Sequence, residues 1–140
     1  MDIEEIKDNI ALRYPYLLVD RIIDIDGDEV KGIKNVTINE PFFQGHFPDP
    51  GPSVMPGTMI IEAMAQVAGV LVAQGREEDG LGYLVGVDEA RFRKKVKPGD
   101  QLLLEAKLKR KRSSIRKVRV EAKVEEELAS EAEITLAFDE

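Results

Sequence analysis

The sequence predicts an α+β domain in which a curved antiparallel sheet wraps around one long helix. Three observations carry this prediction. Two strand-like runs precede a stiff loop, one helical stretch follows it, and four further runs with partial alternation occupy the rest of the chain. A length of 140 residues suits one domain, 1–140, large enough to bury a core without disulfides.

Asp2 caps a short helix over 3–9, with Ile3 and Ile6 on its inner face. Branched apolar residues fill 16–26 up to the turn signal Asp26-Gly27-Asp28. A second run, 30–37, completes a hairpin. Segment 40–57 is dense in proline and glycine, which restrict and shape the backbone, so it reads as a stiff loop carrying Phe42, Phe43 and Phe47. The helix over 58–74 is apolar on nearly all sides, and its small residues Ala63, Ala65, Ala68 and Gly69 admit a close-packed sheet. After a polar break at 76–80, strands are expected over 81–92, 101–112, 114–124 and 127–138, with a turn at Lys97-Pro98-Gly99-Asp100.

Composition removes several classes of function. Cysteine is absent and there is one histidine, which excludes disulfides, thiolate metal sites, a cysteine nucleophile and a histidine-rich metal cluster. A carboxylate-only site would favour magnesium or calcium, but no loop has the spacing of such a site, and neither a metal nor a cofactor is expected. The N-terminus is acidic where a secretory signal would be basic and then apolar. The longest apolar stretch, 59–73, falls short of the roughly 20 residues that span a bilayer. The expectation is a soluble, cytoplasmic protein that binds no membrane. A net charge of −7 argues against a nucleic-acid partner. Yet Arg91, Arg93, Lys94, Lys95 and Lys97 have no acid between them, and every charged residue over 106–120 is basic. These runs are either solvated strand faces or a docking patch for an acidic partner.

Two polar groups sit in unusual surroundings. Glu62 lies among Met59, Ile60, Ile61, Ala63 and Met64, and a buried carboxylate needs a partner or a task. Gln66, four residues on, shares its helix face and can hydrogen-bond to it. His46, in Gln44-Gly45-His46-Phe47-Pro48, is held within the stiff loop as a general base must be. Pro56-Gly57 opens the long helix, so the Gly57 and Thr58 amides are free to hold a developing oxyanion. A base, an acid and an oxyanion cradle suit removal of a proton beside a carbonyl while a β-hydroxyl leaves. A hydrolase uses much the same parts.

The run from Asn35 to Pro48, followed by Val54-Met55-Pro56-Gly57 and Ile60-Ile61-Glu62-Ala63-Met64-Ala65-Gln66, resembles the FabZ-type 3-hydroxyacyl-[acyl-carrier-protein] dehydratases. Arg13 to Arg21, Val85 to Arg93 and Lys97 to Gln101 match that family's other signatures in order, so the resemblance covers nearly the whole chain. It implies a hot-dog fold and dehydration of 3-hydroxyacyl groups on acyl carrier protein. It also implies a homodimer joined sheet edge to sheet edge, commonly assembled as a trimer of dimers, with each histidine facing the partner's glutamate. His46 and Glu62 then map to the catalytic pair, and Gly57 to the amide that binds the thioester carbonyl, with Gln66 in support. Phe42, Phe43 and Phe47 would line an acyl tunnel with Tyr83 near its mouth, and Arg91, Arg93, Lys94 and Lys95 would meet the acidic carrier protein.

Three departures stand out. Leu12 replaces the family's histidine before Arg-Tyr-Pro. Asp49-Pro50-Gly51-Pro52-Ser53 is two residues longer than the family's loop, so it either bulges outward or shifts His46. Val124-Glu125-Glu126-Glu127 replaces an Asp-Gly hairpin turn. A hot-dog thioesterase and a non-catalytic acyl-binding module are the competing readings.

Overall fold

A computed structural model describes residues 1–75 and 82–138. The polar break expected at 76–80, and Leu81 at the start of the following strand, lie outside the described residues. The elements run α1 (Ile3–Lys7), β1 (Arg21–Asp26), β2 (Glu29–Asn35), a 3-10 turn (Pro41–Gln44), α2 (Gly57–Gln74), β3 (Gly82–Phe92), β4 (Gln101–Arg112), β5 (Ile115–Val124) and β6 (Glu127–Phe138). The six strands form one antiparallel sheet in the order β1-β2-β4-β5-β6-β3. Helix α2 packs on β2, β4, β5 and β6. This is the expected hot-dog arrangement.

Local chemistry explains the elements. Asp2 and Glu5 form a reciprocal capping box at α1. The helix ends at Lys7, short of the expected Asn9, because the Asn9 side chain turns back to the Glu5 carbonyl. On β4, β5 and β6, alternate residues such as Leu102, Leu104, Val118, Val120, Ala132 and Ile134 are buried against α2. Gly27 takes a left-handed φ of 58° in the β1–β2 turn, as Gly99 does (98°) in the turn before β4.

Two further expectations need correction. The run 16–26 is strand only from Arg21. Leu18 gives its amide to the Gln66 side chain rather than to a neighbouring strand, and it is buried there with Val19. Of the small helix residues, Ala63 and Ala68 are buried in the core, but Ala65 and Gly69 face a groove instead of the sheet.

The β5–β6 hairpin closes through Glu125 and Glu126, with φ of 49° and 71°, between the paired Val124 and Glu127. Two successive left-handed residues make a type I′ turn, which favours Asn-Gly. A left-handed non-glycine residue costs roughly 1–2 kcal/mol. The double substitution Glu125→Asn/Glu126→Gly is expected to stabilise the fold by about 1–2 kcal/mol, raising Tm by several degrees. Calorimetry that finds no rise contradicts this account of the turn.

Candidate active site

The loop that carries His46 is anchored at both ends. At its start, the buried Lys34 ammonium pairs with both Glu40 carboxylate oxygens at 3.0 Å, and Glu40 also accepts from the Thr37 amide at 3.1 Å. The 3-10 turn follows, with Phe43 buried and Phe42 packed edge-on against it. The His46 amide donates to the Phe42 carbonyl at 3.0 Å. At the far end, His46 Nδ1 lies 2.6 Å from the Val54 carbonyl oxygen. A carbonyl only accepts, so Nδ1 carries the hydrogen, and in the neutral ring Nε2 keeps a lone pair.

That bond is made across the segment 49–53. Asp49, Pro50, Pro52 and Ser53 are exposed, and the Gly51 amide closes onto the Pro48 carbonyl at 2.8 Å. The loop bulges outward, and Val54 beyond it still reaches the His46 ring. Phe47 is 54% exposed and stacks obliquely on His46, its centroid 4.2 Å away.

Helix α2 supplies the other groups. Among the described residues, the Gly57 and Thr58 amides have no acceptor, while Met59 and Ile60 donate to Pro56. A helix N-terminus attracts negative charge. Gly57 lies under the Phe92 ring so closely that a Cβ there would stand 2.8 Å from Phe92 Cε1. Any side chain at 57 would push Phe92 away.

One turn further on, Glu62 is half-buried and its Oε1 accepts from Gln66 Nε2 at 3.0 Å. Gln66 is 2% exposed and fully occupied: its oxygen accepts from the Leu18 amide at 2.8 Å, and its nitrogen also donates to the Tyr16 carbonyl. The Leu18 bond fixes which end of the amide faces Glu62. A proton on Glu62 therefore belongs on Oε2, the oxygen left open. Sequence spacing pairs Glu62 with Gln66, but the Tyr16–Leu18 tether, made across 48 residues, has no local signal.

Glu62, Gln66 and Tyr83 line one groove of about 930 Å³. Its described lining does not include His46, Gly57, Phe42, Phe43 or Phe47. Within one chain, Glu62 and His46 thus belong to different surroundings. Ile10, Leu12, Gly69 and Phe138 also line the groove and were not anticipated. Among the described residues no cluster of three or more His, Asp or Glu stands ready to hold a metal ion.

The basic run before β4 is partly neutralised. Arg93 Nε pairs with Glu131 at 2.8 Å and Lys94 with Glu127 at 3.0 Å. The Arg93 bond, helped by Arg119, holds the Glu131 carboxyl below its usual range, and Glu127 raises Lys94. Arg91 and Lys95 make no ion pair among the described residues. Neither do Lys109, Arg110, Lys111 and Arg112, all exposed at the tip of the β4–β5 hairpin.

Taken together, the six-stranded antiparallel sheet and the central helix define a hot-dog protein, with a carboxylate set in the groove along that helix. The solved structures agree on the fold. The dehydratase heterocomplex ApeI:P from Xenorhabdus doucetiae superposes with a TM-score of 0.82 at 19% identity, over 96% of this chain and 91% of that one. A hypothetical thioesterase protein with coenzyme A from Streptococcus pneumoniae gives 0.66 at 14% identity, over 85% and 84%. The chain belongs to the FabA-like domain family, whose model matches residues 10–133. It is 53% identical to the 3-hydroxyacyl-[acyl-carrier-protein] dehydratase FabZ of Syntrophobacter fumaroxidans, over 96% of this chain and 91% of that one. Its identity to the protein of the same name from Oceanobacillus iheyensis is 49%, over 99% of both.

Proposed function

We propose that this single-domain chain is a hydro-lyase converting (3R)-3-hydroxyacyl-[acyl-carrier-protein] to the trans-2-enoyl form in fatty-acid synthesis. The observation that carries the proposal is the Glu62–Gln66 pair at the head of the groove, on a chain half identical to curated dehydratases along its whole length. His46 Nε2 takes the α-proton. The thioester oxygen gains charge and is held by the Gly57 and Thr58 amides. The Cβ–O bond then breaks as Glu62 Oε2 protonates the departing hydroxyl, and water leaves. A proton returned from His46 to Glu62 restores both groups. The proposed site involves no metal or cofactor.

The two groups meet across a homodimer. Strand β3 is a sheet edge eleven residues long, and Tyr83, Leu84, Val85, Val87 and Phe92 on it are each more than a third exposed. An unpaired apolar edge invites a second strand, and pairing two β3 edges would join two sheets. A trimer of such dimers is the expected assembly. The working compartment is the cytoplasm. The expectation that the apolar stretch is too short to span a bilayer needs correction, since α2 is long and apolar enough by length and composition, but half of that stretch is buried inside the fold.

A continuous assay of crotonyl thioester hydration tests the function. Loss of enoyl absorbance without thiol release is expected. Thiol release would instead identify a thioesterase, and neither signal would leave an acyl-binding module.

The acidic carrier protein docks on the basic surface that includes Arg91, Arg93, Lys94 and Lys95. Since Arg93 and Lys94 are already paired, the hairpin tip carries much of the attraction. By register, Arg112 lies opposite Ile115, Ile115 opposite Ala137 and Ala137 opposite Tyr83. Three strand spacings, about 15 Å, thus separate the tip from Tyr83 on the far side of β6. Arg110→Glu/Lys111→Glu is expected to raise KM for carrier-bound substrate by about tenfold at low salt and less at high salt. The Arg93→Glu change should do less. An equal rise with a pantetheine thioester would rule out docking.

A further inference from the structure

We infer that Gly69 sets the length of acyl chain that the enzyme accepts, by keeping the middle of the groove open. The inference rests on the dehydratase reading above. The floor of the groove is one face of α2, formed by Glu62, Ala65, Gln66, Gly69, Val72 and Ala73. Ile10, Leu12, Tyr83 and Phe138 belong to the rest of its lining. From Glu62 to Ala73 the floor runs about 16 Å along the helix axis, the reach of an extended medium-length acyl chain. Ala65 and Gly69 therefore lie where a chain leading away from the acid would rest.

Glycine inside a helix is costly because it loses more backbone freedom on folding than alanine does. It persists where another group must approach closely, or where space has to stay empty. Gly57 and Gly32 illustrate the first case. A Cβ at Gly57 would stand 2.8 Å from the Phe92 ring, and one at Gly32 would stand 3.0 Å from Ile22 Cδ1. Gly69 differs from these two: among the described residues, an added Cβ would meet only Ile10 Cγ2, at an ordinary 3.5 Å. Packing within the chain does not require glycine there, and the vacancy opens into the groove. Position 69 is two turns beyond Glu62, about 10 Å along the axis, so it meets the middle of a long chain and lies beyond the end of a four-carbon one.

The test compares wild type, Gly69→Ala and Gly69→Leu on 3-hydroxybutyryl- and 3-hydroxyhexadecanoyl-carrier protein. Each methylene kept out of the groove costs about fourfold in kcat/KM. The long-to-short ratio of kcat/KM is therefore expected to fall more than about tenfold in Gly69→Leu, with Gly69→Ala in between. Gly69→Ala should melt no lower than wild type. A constant ratio, or a lower Tm for Gly69→Ala, overturns the inference. If wild type turns over neither substrate, the dehydratase reading fails. Binding of S-palmitoyl-pantetheine then decides about Gly69: weaker binding to Gly69→Leu than to wild type upholds its role, and equal binding refutes it.

Discussion

Replacing His46 with alanine is expected to lower kcat on 3-hydroxyacyl-carrier protein by about 10³-fold or more, leaving a folded protein. A positioned base contributes roughly 10²–10⁴-fold, and the chain has no second histidine to take over. The geometry says why the imidazole is suited to the task. With Nδ1 held by the Val54 carbonyl, Nε2 is the nitrogen that can accept a proton. The fold should survive, because His46 is only half-buried and stacks on the exposed Phe47 rather than on the core. Losing one hydrogen bond leaves the Val54 carbonyl unpaired, at a cost of roughly 1–3 kcal/mol. Circular dichroism and a melting curve would separate misfolding from lost chemistry. Turnover near that of wild type in a folded variant would remove His46 from the mechanism.

The second large effect is a gain. His46→Ala and Glu62→Gln proteins should each be nearly inactive, yet unfolding and refolding them as an equal mixture should recover about a quarter of wild-type activity. In a dimer whose sites each take the base from one subunit and the acid from the other, half of the mixed assemblies are heterodimers. Each heterodimer holds one intact site and one doubly altered site. Glu62→Gln keeps the shape of the side chain and can still pair with Gln66, so the fold and the groove should persist. What it lacks is the carboxyl proton that the leaving hydroxyl needs. The structural motive is the separation within one chain: the groove that contains Glu62 does not contain His46, and the β3 edge offers a place for a second chain. If the refolded mixture contains heterodimers but stays inactive, both groups act within one subunit or one of them is misassigned.

Much of the architecture was legible one element at a time. The bounds expected for β4 and β6, 101–112 and 127–138, coincide with those observed, because a strand with one buried face writes a two-residue period into its sequence. Helix α2 begins one residue before the expected Thr58, since Pro56 caps it and Gly57 already takes helical geometry. Sequence also placed Gln66 beside Glu62, because four residues make one helical turn. It misread 16–20 because apolar residues such as Leu17 to Val19 look like strand wherever they are buried. Here their backbone is held by a side chain 48 residues away.

The sequence alone determined the order and type of the elements, the stiff loop bearing His46 and the carboxylate inside the long helix, since each rests on short-range stereochemistry. Only the tertiary structure decided that β3 sits beside β6 at the edge, away from its sequence neighbour β4, and that Arg93 and Lys94 are spent on ion pairs. It alone showed that Gly69 lines the groove and has room there for a Cβ, in ordinary contact with Ile10. Strand pairing, charge pairing and empty volume depend on what distant parts of the chain bring to the same place. No local pattern records that.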